Sequence, residues 1–228
     1  KIGYVIRGQQ GNPIVSDWLP IFWAYGGEVF DENWESQVNS EAGVKALELY
    51  LALLENGANY EKNDIVAAVS EGQAGMSLGW PSWYVSGEEA SASYGVIPSK
   101  ITEDSEEYPA GMLGNWMMAV TANSQHPDLA VQLLDHLTSE ESQKEAALVG
   151  GVPTRRAVLQ DDELVAKFPY FPILMEGMEQ GVVRPRHAKW SAAEEVLGAE
   201  LSAAVVGSKT VEEALDAAVE AMNAAVAD

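Results

Sequence analysis

The chain has no cysteine, few basic residues and no long apolar run. Its 228 residues contain 13 Lys and Arg against 35 Asp and Glu, which gives a formal net charge of −22. The absence of cysteine excludes disulfides and thiolate metal sites but is compatible with an oxidising compartment. The shortage of basic residues argues against binding to nucleic acid or to an anionic membrane surface. No stretch approaches the ~20 apolar residues that span a bilayer, so we expect no membrane insertion of this segment.

The excess of acidic residues is most simply explained by solubility and adaptation to salt, and attraction of a cationic ligand is the alternative. The three histidines, His126, His136 and His187, are too scattered for a metal triad, and no metal or other cofactor is predicted. The chain opens at Lys1 and Ile2 inside a predicted strand, without Met or a leader. We therefore expect a processed or trimmed product, the later part of a longer protein.

Strand and helix signals alternate along the chain, which predicts an α/β fold. Strands are predicted over residues 2–6, around Met76 and Leu78, over 94–98 and over 116–121. Helices are predicted over 18–25 with Asp17 as cap, after Ser40, from Pro127, and over 139–149. Two C-terminal helices are predicted behind the capping boxes Ser191–Glu194 and Thr210–Glu213.

Three stretches rich in glycine and tryptophan lie where strands or loops are predicted to end. They are "WAYGGEVFDENW" at 23–34, "EGQAGMSLGWPSWY" at 71–84 and "GNWMMAV" at 114–120. A pyranose has apolar C–H faces and a polar rim, so flat aromatic side chains beside hydrogen-bonding groups suit a sugar. None of the stretches contains a nucleophile–base pair or a set of metal ligands. The pattern predicts a binding protein rather than an enzyme.

Ten residues are candidates for ligand contact. Trp80 and Trp83 follow a predicted buried strand, where open α/β sheets place their ligand cleft, although one of these indoles could simply fill the core. Arg7 has a fork of donors that suits adjacent hydroxyls, with a salt bridge as the alternative. The remaining candidates are Asn115 and Trp116 behind the permissive Gly114, Asn12, Asp17 and Trp18 at the cleft rim, and Arg186 and Trp190 before a C-terminal helix. For Trp116, Arg186 and Trp190 the alternatives are core packing or an ordinary surface position.

The order of these signals resembles the extracellular solute-binding proteins of sugar ABC importers, the group that includes maltose-, trehalose- and polyol-binding proteins. The likeness is carried by "YGGEVFDENWESQVNSEAGVKALELYLALLENG", "AVSEGQAGMSLGWPSWY", "GMLGNWMMAVTANSQHPDLAVQLLDHLTSEESQ", "GGVPTRRAV" and "RPRHAKWSAAEEVLGAELSAAVVGSKTVEEAL". These stretches stand in the family's order across nearly the whole chain, which resembles the later and larger part of a family member.

The resemblance implies an α/β fold of periplasmic-binding-protein type II, with two lobes and a ligand cleft between them. Residues 1–95 and 159–228 would form the C-terminal lobe, and residues 96–158 the later segment of the N-terminal lobe, whose first part would be missing. The implied function is that of a monomeric receptor, periplasmic or extracellular, that binds a sugar or polyol. Such a receptor closes about a hinge and docks on the permease subunits of its importer.

Two other functions stay open. One is a glycoside-acting α/β enzyme with paired carboxylates, because acidic residues are abundant and some pair will lie at a suitable separation. The other is a receptor lobe reused for sensing, chemotaxis, adhesion or assembly. No motif isolates a carboxylate pair, so the receptor is the favoured hypothesis.

Overall fold

A short parallel sheet lies at the centre of the larger part of the fold. The structure is a computed structural model that describes residues 1–83 and 93–227. The strands are β1 (Ile2–Ile6), β2 (Ala58–Asn59) and β3 (Ala74–Ser77), in the order β2–β1–β3. Parallel neighbours need crossover connections, and helices supply them. The chain runs from β1 to β2 through α1 (Asn12–Ala24) and α2 (Glu41–Glu55), and from β2 to β3 through α3 (Lys62–Ser70).

The main core lies between α1, α2 and a C-terminal helical hairpin. The hairpin consists of α9 (Trp190–Val205) and α10 (Val211–Val226), and α9 packs on α1. The fully buried side chains of this core include Ile14, Trp18, Phe22, Leu47, Tyr50, Leu197, Leu201, Leu215 and Met222. Residues from both ends of the chain therefore build one core.

A second group of elements joins this core through a short strand pair. Strand β4 (Met112–Leu113) is parallel to β5 (Val182–Val183). The helices between them are α4 (Pro127–Leu137), α5 (Glu140–Leu148), α6 (Arg156–Leu159), α7 (Asp162–Lys167) and α8 (Phe171–Glu179). A separate apolar cluster unites α5 to α8 through Ala147, Val158, Leu159, Leu164, Phe168, Phe171 and Leu174. This cluster crosses the predicted domain boundary between residues 158 and 159, and the boundary stays a prediction.

Several predicted elements are confirmed. The strand over 2–6, the helix behind Ser40, the helix from Pro127 and the helix behind Ser139 all form. Thr210 and Glu213 make the predicted capping box at the start of α10. These are the positions where apolar spacing and a capping residue agree.

Other predicted elements are wrong. Asp17 lies inside α1 instead of capping it, because Pro13 fits the first turn and the helix begins at Asn12. Glu194 forms no capping box with Ser191, since α9 already begins at Trp190 and Glu194 binds Arg184 and Asn12. Residues 94–98 and 116–121 form no regular structure. The strand around Met76 forms but is only partly buried, with Ala74 buried and Met76 65% exposed.

The second group exposes several large apolar side chains. Helix α4 has no buried residue, although its sequence is amphipathic. We call the following exposed residues the α4 surface: Trp116, Met117, Leu129, Leu133, Leu137 and Val149. Trp116 is 98% and Met117 90% exposed, which is unusual for a free monomer surface. Among the described residues, no helix is both long and apolar enough to cross a membrane.

Candidate functional site

A small cavity of about 50 Å³ lies at the carboxyl ends of β1 and β3. Arg7 follows β1, and Gly79, Trp80 and Trp83 follow β3. We call this cavity the strand-end groove; it is lined by Arg7, Pro13, Ser16, Asp17, Pro20, Leu78, Gly79, Trp80, Trp83, Ile97 and Met112. A larger cavity of about 230 Å³ shares Trp80 and Trp83 with it and extends towards α8. Of the ten sequence candidates, the structure brings Arg7, Asp17, Trp80 and Trp83 together here.

Asp17 fixes the chain where β1 ends. Its carboxylate accepts hydrogen bonds from the backbone N–H of Arg7 and from the hydroxyl of Tyr50, both at 2.9 Å. Burial raises the pKa of Asp17 to about 6, while these two hydrogen bonds act in the opposite direction. Burial, followed by the nearby Asp17 carboxylate, also raises the pKa of Tyr50. Asp17 is only 5% exposed, so it positions Arg7 more than it offers an open face to a ligand.

The loop after β1 is held from two sides. The backbone N–H of Gly8 donates to the Asn59 side chain at 2.8 Å, and the Gln9 amide donates to the Tyr60 carbonyl at 2.8 Å. From α9, the hydroxyl of Ser202 donates to the Gly8 carbonyl at 3.3 Å. These contacts tie the loop to β2 and α9, so Arg7 is presented from a fixed backbone.

Two cations converge on Trp83. The Cζ atom of Arg7 lies 5.1 Å, and Nζ of Lys62 5.7 Å, from the centroid of the Trp83 ring, within the range of cation–π attraction. Neither cation forms an ion pair within the described part of the chain, so the salt bridge considered for Arg7 is not found there. Burial lowers the pKa of Arg7, but a guanidinium stays charged in proteins.

Two buried polar atoms of the groove lack a hydrogen-bond partner within the described residues. They are Nε of Arg7 and the hydroxyl oxygen of Ser16. Buried polar atoms in folded proteins nearly always have partners, including water or ligand. The groove therefore offers donors that a polar ligand can satisfy.

Trp80 takes the space in front of Gly114. A Cβ atom at position 114 would lie 2.7 Å from Cη2 of Trp80, closer than packed carbon atoms come. The group that lies close to the Gly114 backbone is therefore the Trp80 indole. From the sequence, a ligand was expected at this place. The next residues, Asn115 and Trp116, are exposed and do not line the groove.

The other candidates lie elsewhere. Trp18 is fully buried and stacks on Phe22 with ring centroids 4.8 Å apart, so its prediction as a ligand contact is wrong: no surface remains for a ligand. Asn12 donates to Glu194 at 3.0 Å outside the groove. Trp190 packs edge-on against Phe30, and Arg186 is exposed; neither lines the groove.

Several residues at the groove were missed from the sequence, among them Ser16 and Met112 in its lining and Lys62, which lies beside Trp83 outside the lining. Ser16 precedes the candidate Asp17 on α1, and Met112 is the first residue of β4, just before the glycine- and tryptophan-rich stretch at 114–120. Their positions next to these sequence signals could have identified both. No local pattern marks Lys62, whose relation to Trp83 depends on how α3 crosses to β3. Among the described residues, no three His, Asp or Glu side chains gather closely enough to hold a metal.

The parallel sheet, the helical hairpin and the strand-end groove define a solute-binding fold of periplasmic-binding-protein type II. Two solved structures superpose with a TM-score of 0.82, each at 24% identity. They are a ribitol complex from Agrobacterium radiobacter, matched over 98% of this chain and 60% of its own, and maltose-bound T. maritima MalE3, matched over 97% and 60%. These likenesses confirm the predicted fold.

The family follows from sequence. The family model of bacterial extracellular solute-binding proteins matches residues 1–144. A probable amino-acid ABC transporter periplasmic-binding protein of Sinorhizobium fredii is 30% identical over 222 residues, 94% of this chain and 50% of that protein. The chain belongs to the bacterial extracellular solute-binding protein family, as predicted. It spans about half the length of the curated relatives that it matches.

Proposed function

We propose that the chain is the ligand-binding part of an ABC-importer receptor that takes a carbohydrate or polyol in the strand-end groove. The observation that carries the proposal is the meeting of Trp80, Trp83 and Arg7 at the carboxyl ends of β1 and β3. Ligands of open α/β sheets bind at such ends, and aromatic faces beside unsatisfied donors suit a hydroxyl-rich ligand. The ribitol and maltose in the two similar structures support this ligand class.

The receptor mechanism is closure followed by docking. A ligand that binds one lobe and gains contacts with the other shifts the population towards the closed form. The permease subunits of an importer then recognise that form, in the periplasm or at the cell exterior. We propose no catalytic step, because the family consists of transport binding proteins. The monomeric state is part of the same proposal.

Ligand-induced thermal stabilisation tests the proposal. Ribitol, maltose, D-mannitol and L-amino acids are each titrated against the chain. A ligand at a hundred times its dissociation constant stabilises the folded state by about 2.7 kcal/mol, so the melting temperature rises. Trp80→Ala is expected to abolish the rise, whereas Trp34→Ala, at an exposed aromatic outside the groove, keeps it. A rise that survives Trp80→Ala contradicts the proposed site.

An amino-acid receptor is the second candidate. It is favoured by the Sinorhizobium fredii relative, which is described as a probable amino-acid transporter component. The same titration separates the two candidates, because stabilisation by L-amino acids alone replaces the carbohydrate proposal.

We also propose that the receptor includes a further part that covers the α4 surface. This is supported by the exposed apolar side chains and by the 60% share of the similar structures that the chain spans. Covalent oxidation tests it: Met117, 90% exposed, is expected to oxidise readily in this chain and to be protected in the complete gene product. Met76, 65% exposed on β3, serves as the internal control. Equal oxidation of Met117 in both proteins contradicts the proposal.

A further inference from the structure

The guanidinium of Arg7 has unused hydrogen-bonding capacity in the groove. Its Nε is buried and has no partner among the described residues. Leaving a buried donor unsatisfied is unfavourable, and more so for a charged group. The Ser16 hydroxyl in the same groove is also unpartnered within the described chain. An acceptor that bonds with either group removes the corresponding penalty.

The Trp83 ring lies beside two cations. Arg7 lies over it at 5.1 Å and Lys62 approaches it at 5.7 Å. A guanidinium stacked on an aromatic ring keeps its N–H groups free around its edge. Trp83 therefore orients Arg7 while leaving its donors for a ligand.

The described lining of the groove does not share the acidic excess of the whole molecule, because its charged residues are Arg7 and Asp17. The chain carries a net −22, yet no described carboxylate pairs with Arg7 or Lys62. Asp17 is the one acid that lines the groove within the described residues, and it already accepts from the Arg7 backbone and Tyr50. Distant surface charges are screened beyond about 8 Å at physiological salt. The donors of Arg7, and not the acidic excess of the chain, therefore decide which charged group fits the groove, which disfavours the cationic ligand considered from composition.

We propose that the ligand is a polyhydroxylated acid, such as a sugar acid, whose anionic group binds Arg7, with Trp83 as the residue that positions Arg7. This inference rests on the proposed function, in which the strand-end groove takes a hydroxyl-rich ligand. The hydroxyls face the Ser16 side of the groove and the anionic group meets the guanidinium. A carboxylate matches the planar fork of arginine with two parallel hydrogen bonds.

Matched ligands test the proposal by isothermal titration of the chain, with saturation-transfer NMR at millimolar concentration for weak binding. D-Gluconate and D-glucitol share a carbon skeleton and differ at the end group, and L-alanine carries a carboxylate without hydroxyls. We expect D-gluconate to bind about tenfold more tightly than D-glucitol, as a charge-assisted hydrogen-bond pair provides. L-Alanine is expected to bind more weakly than D-gluconate.

Variants assign the preference to Arg7. Arg7→Gln is expected to remove the preference, because it weakens D-gluconate about tenfold more than it weakens D-glucitol. Arg7→Lys keeps most of the preference. Trp83→Leu reduces the ratio of the two affinities, which a general loss of structure would not do. The control is Arg156→Gln, an exposed arginine paired with Glu179 outside the groove, which leaves the ratio unchanged. Unfolding curves check that each variant folds.

The outcomes separate the inference from the proposed function. Binding of D-glucitol as tightly as D-gluconate overturns the inference and leaves the carbohydrate receptor standing. A preference for D-gluconate that persists in Arg7→Gln overturns the assignment to Arg7. Binding of L-alanine alone overturns the hydroxylated ligand and replaces it with an amino acid. Absence of binding by every probe at millimolar concentration overturns both proposals.

Discussion

The buried carboxyl group of Asp17 links the core to the groove. It holds the Arg7 backbone and Tyr50 on one side and lines the groove on the other. Its position could not be predicted from local pattern, which suggested a helix cap. Because Pro13 fits the first turn, α1 begins closer to the N-terminus than predicted. Asp17 consequently lies on a buried face of α1. The groove around it was predictable only in part: glycine and tryptophan after a strand marked Trp80 and Trp83, whereas Lys62 depends on tertiary packing.

The pKa of Asp17 makes stability depend on pH in a defined direction. The folded protein raises this pKa from 3.8 to about 6, so the folded state holds the proton more tightly than the unfolded state. The contribution is fully present below about pH 4 and is lost as the pH rises through about 6. Asp17→Asn keeps acceptors for Arg7 and Tyr50 but does not titrate. From pH 4 to pH 7, the unfolding free energy of wild type relative to Asp17→Asn is expected to fall by about 2–3 kcal/mol.

Chemical denaturation at several pH values measures this difference. Asp128→Asn, at an exposed position of α4, shows how the same substitution behaves on the surface. The prediction is contradicted if the difference in unfolding free energy between wild type and Asp17→Asn stays constant with pH. In that case the Asp17 carboxyl titrates as an exposed group does.

The contact between Gly114 and Trp80 is a second residue-scale test. An added methyl at Gly114 would meet the Trp80 ring at 2.7 Å, so Gly114→Ala is expected to cost about 1–3 kcal/mol. In the Trp80→Phe background the shorter ring leaves room, and the cost should be smaller. Denaturant unfolding of the four proteins gives the coupling free energy. Strictly additive effects would show that the two residues do not touch.

At the scale of elements, apolar spacing with a cap predicted α2, α4, α5 and α10 well. Short strands were less predictable, because a strand forms only where a partner lies beside it. The apolar sequences at 94–98 and 116–121 have no strand partner within the described chain and form no strand. In contrast, β1 lies between two neighbours, and its alternating pattern was recognised correctly.

The approach of α9 to the loop before α1 depends on Gly198. A Cβ atom there would lie 2.5 Å from the backbone nitrogen and 2.6 Å from Cα of Gly11, and backbone atoms cannot swing aside. Gly198→Ala is expected to destabilise the protein by about 1–3 kcal/mol despite the better helix propensity of alanine. Gly177→Ala in α8, with nothing within 4 Å, should be neutral or stabilise by up to about 1 kcal/mol. Equal unfolding free energies for the two variants would exclude the close approach.

At the scale of the whole molecule, mutual repulsion of acidic groups opposes the compact state. The 35 acidic and 13 basic residues leave a net −22, and the screening length falls from about 10 Å at 0.1 M salt to about 3 Å at 1 M. We expect the melting temperature to rise as NaCl increases over this range. Salt weakens the repulsion between acidic groups, and this repulsion is stronger in the compact folded state than in the expanded unfolded chain. Calorimetry at pH 7 measures the trend. A melting temperature that is flat or falls with NaCl would contradict it.

The shared core of the chain ends has a consequence for the order of folding. Trp18 and Leu47 are enclosed by Leu197, Leu215 and Met222, which the ribosome makes much later. During synthesis the first two helices emerge with their apolar faces uncovered and wait for the hairpin that closes over them. Long-range closure of this kind is slow and leaves the nascent chain open to aggregation. We therefore expect the fixed position of Arg7, whose loop is bound by Ser202 of α9, to form only after that helix has been made.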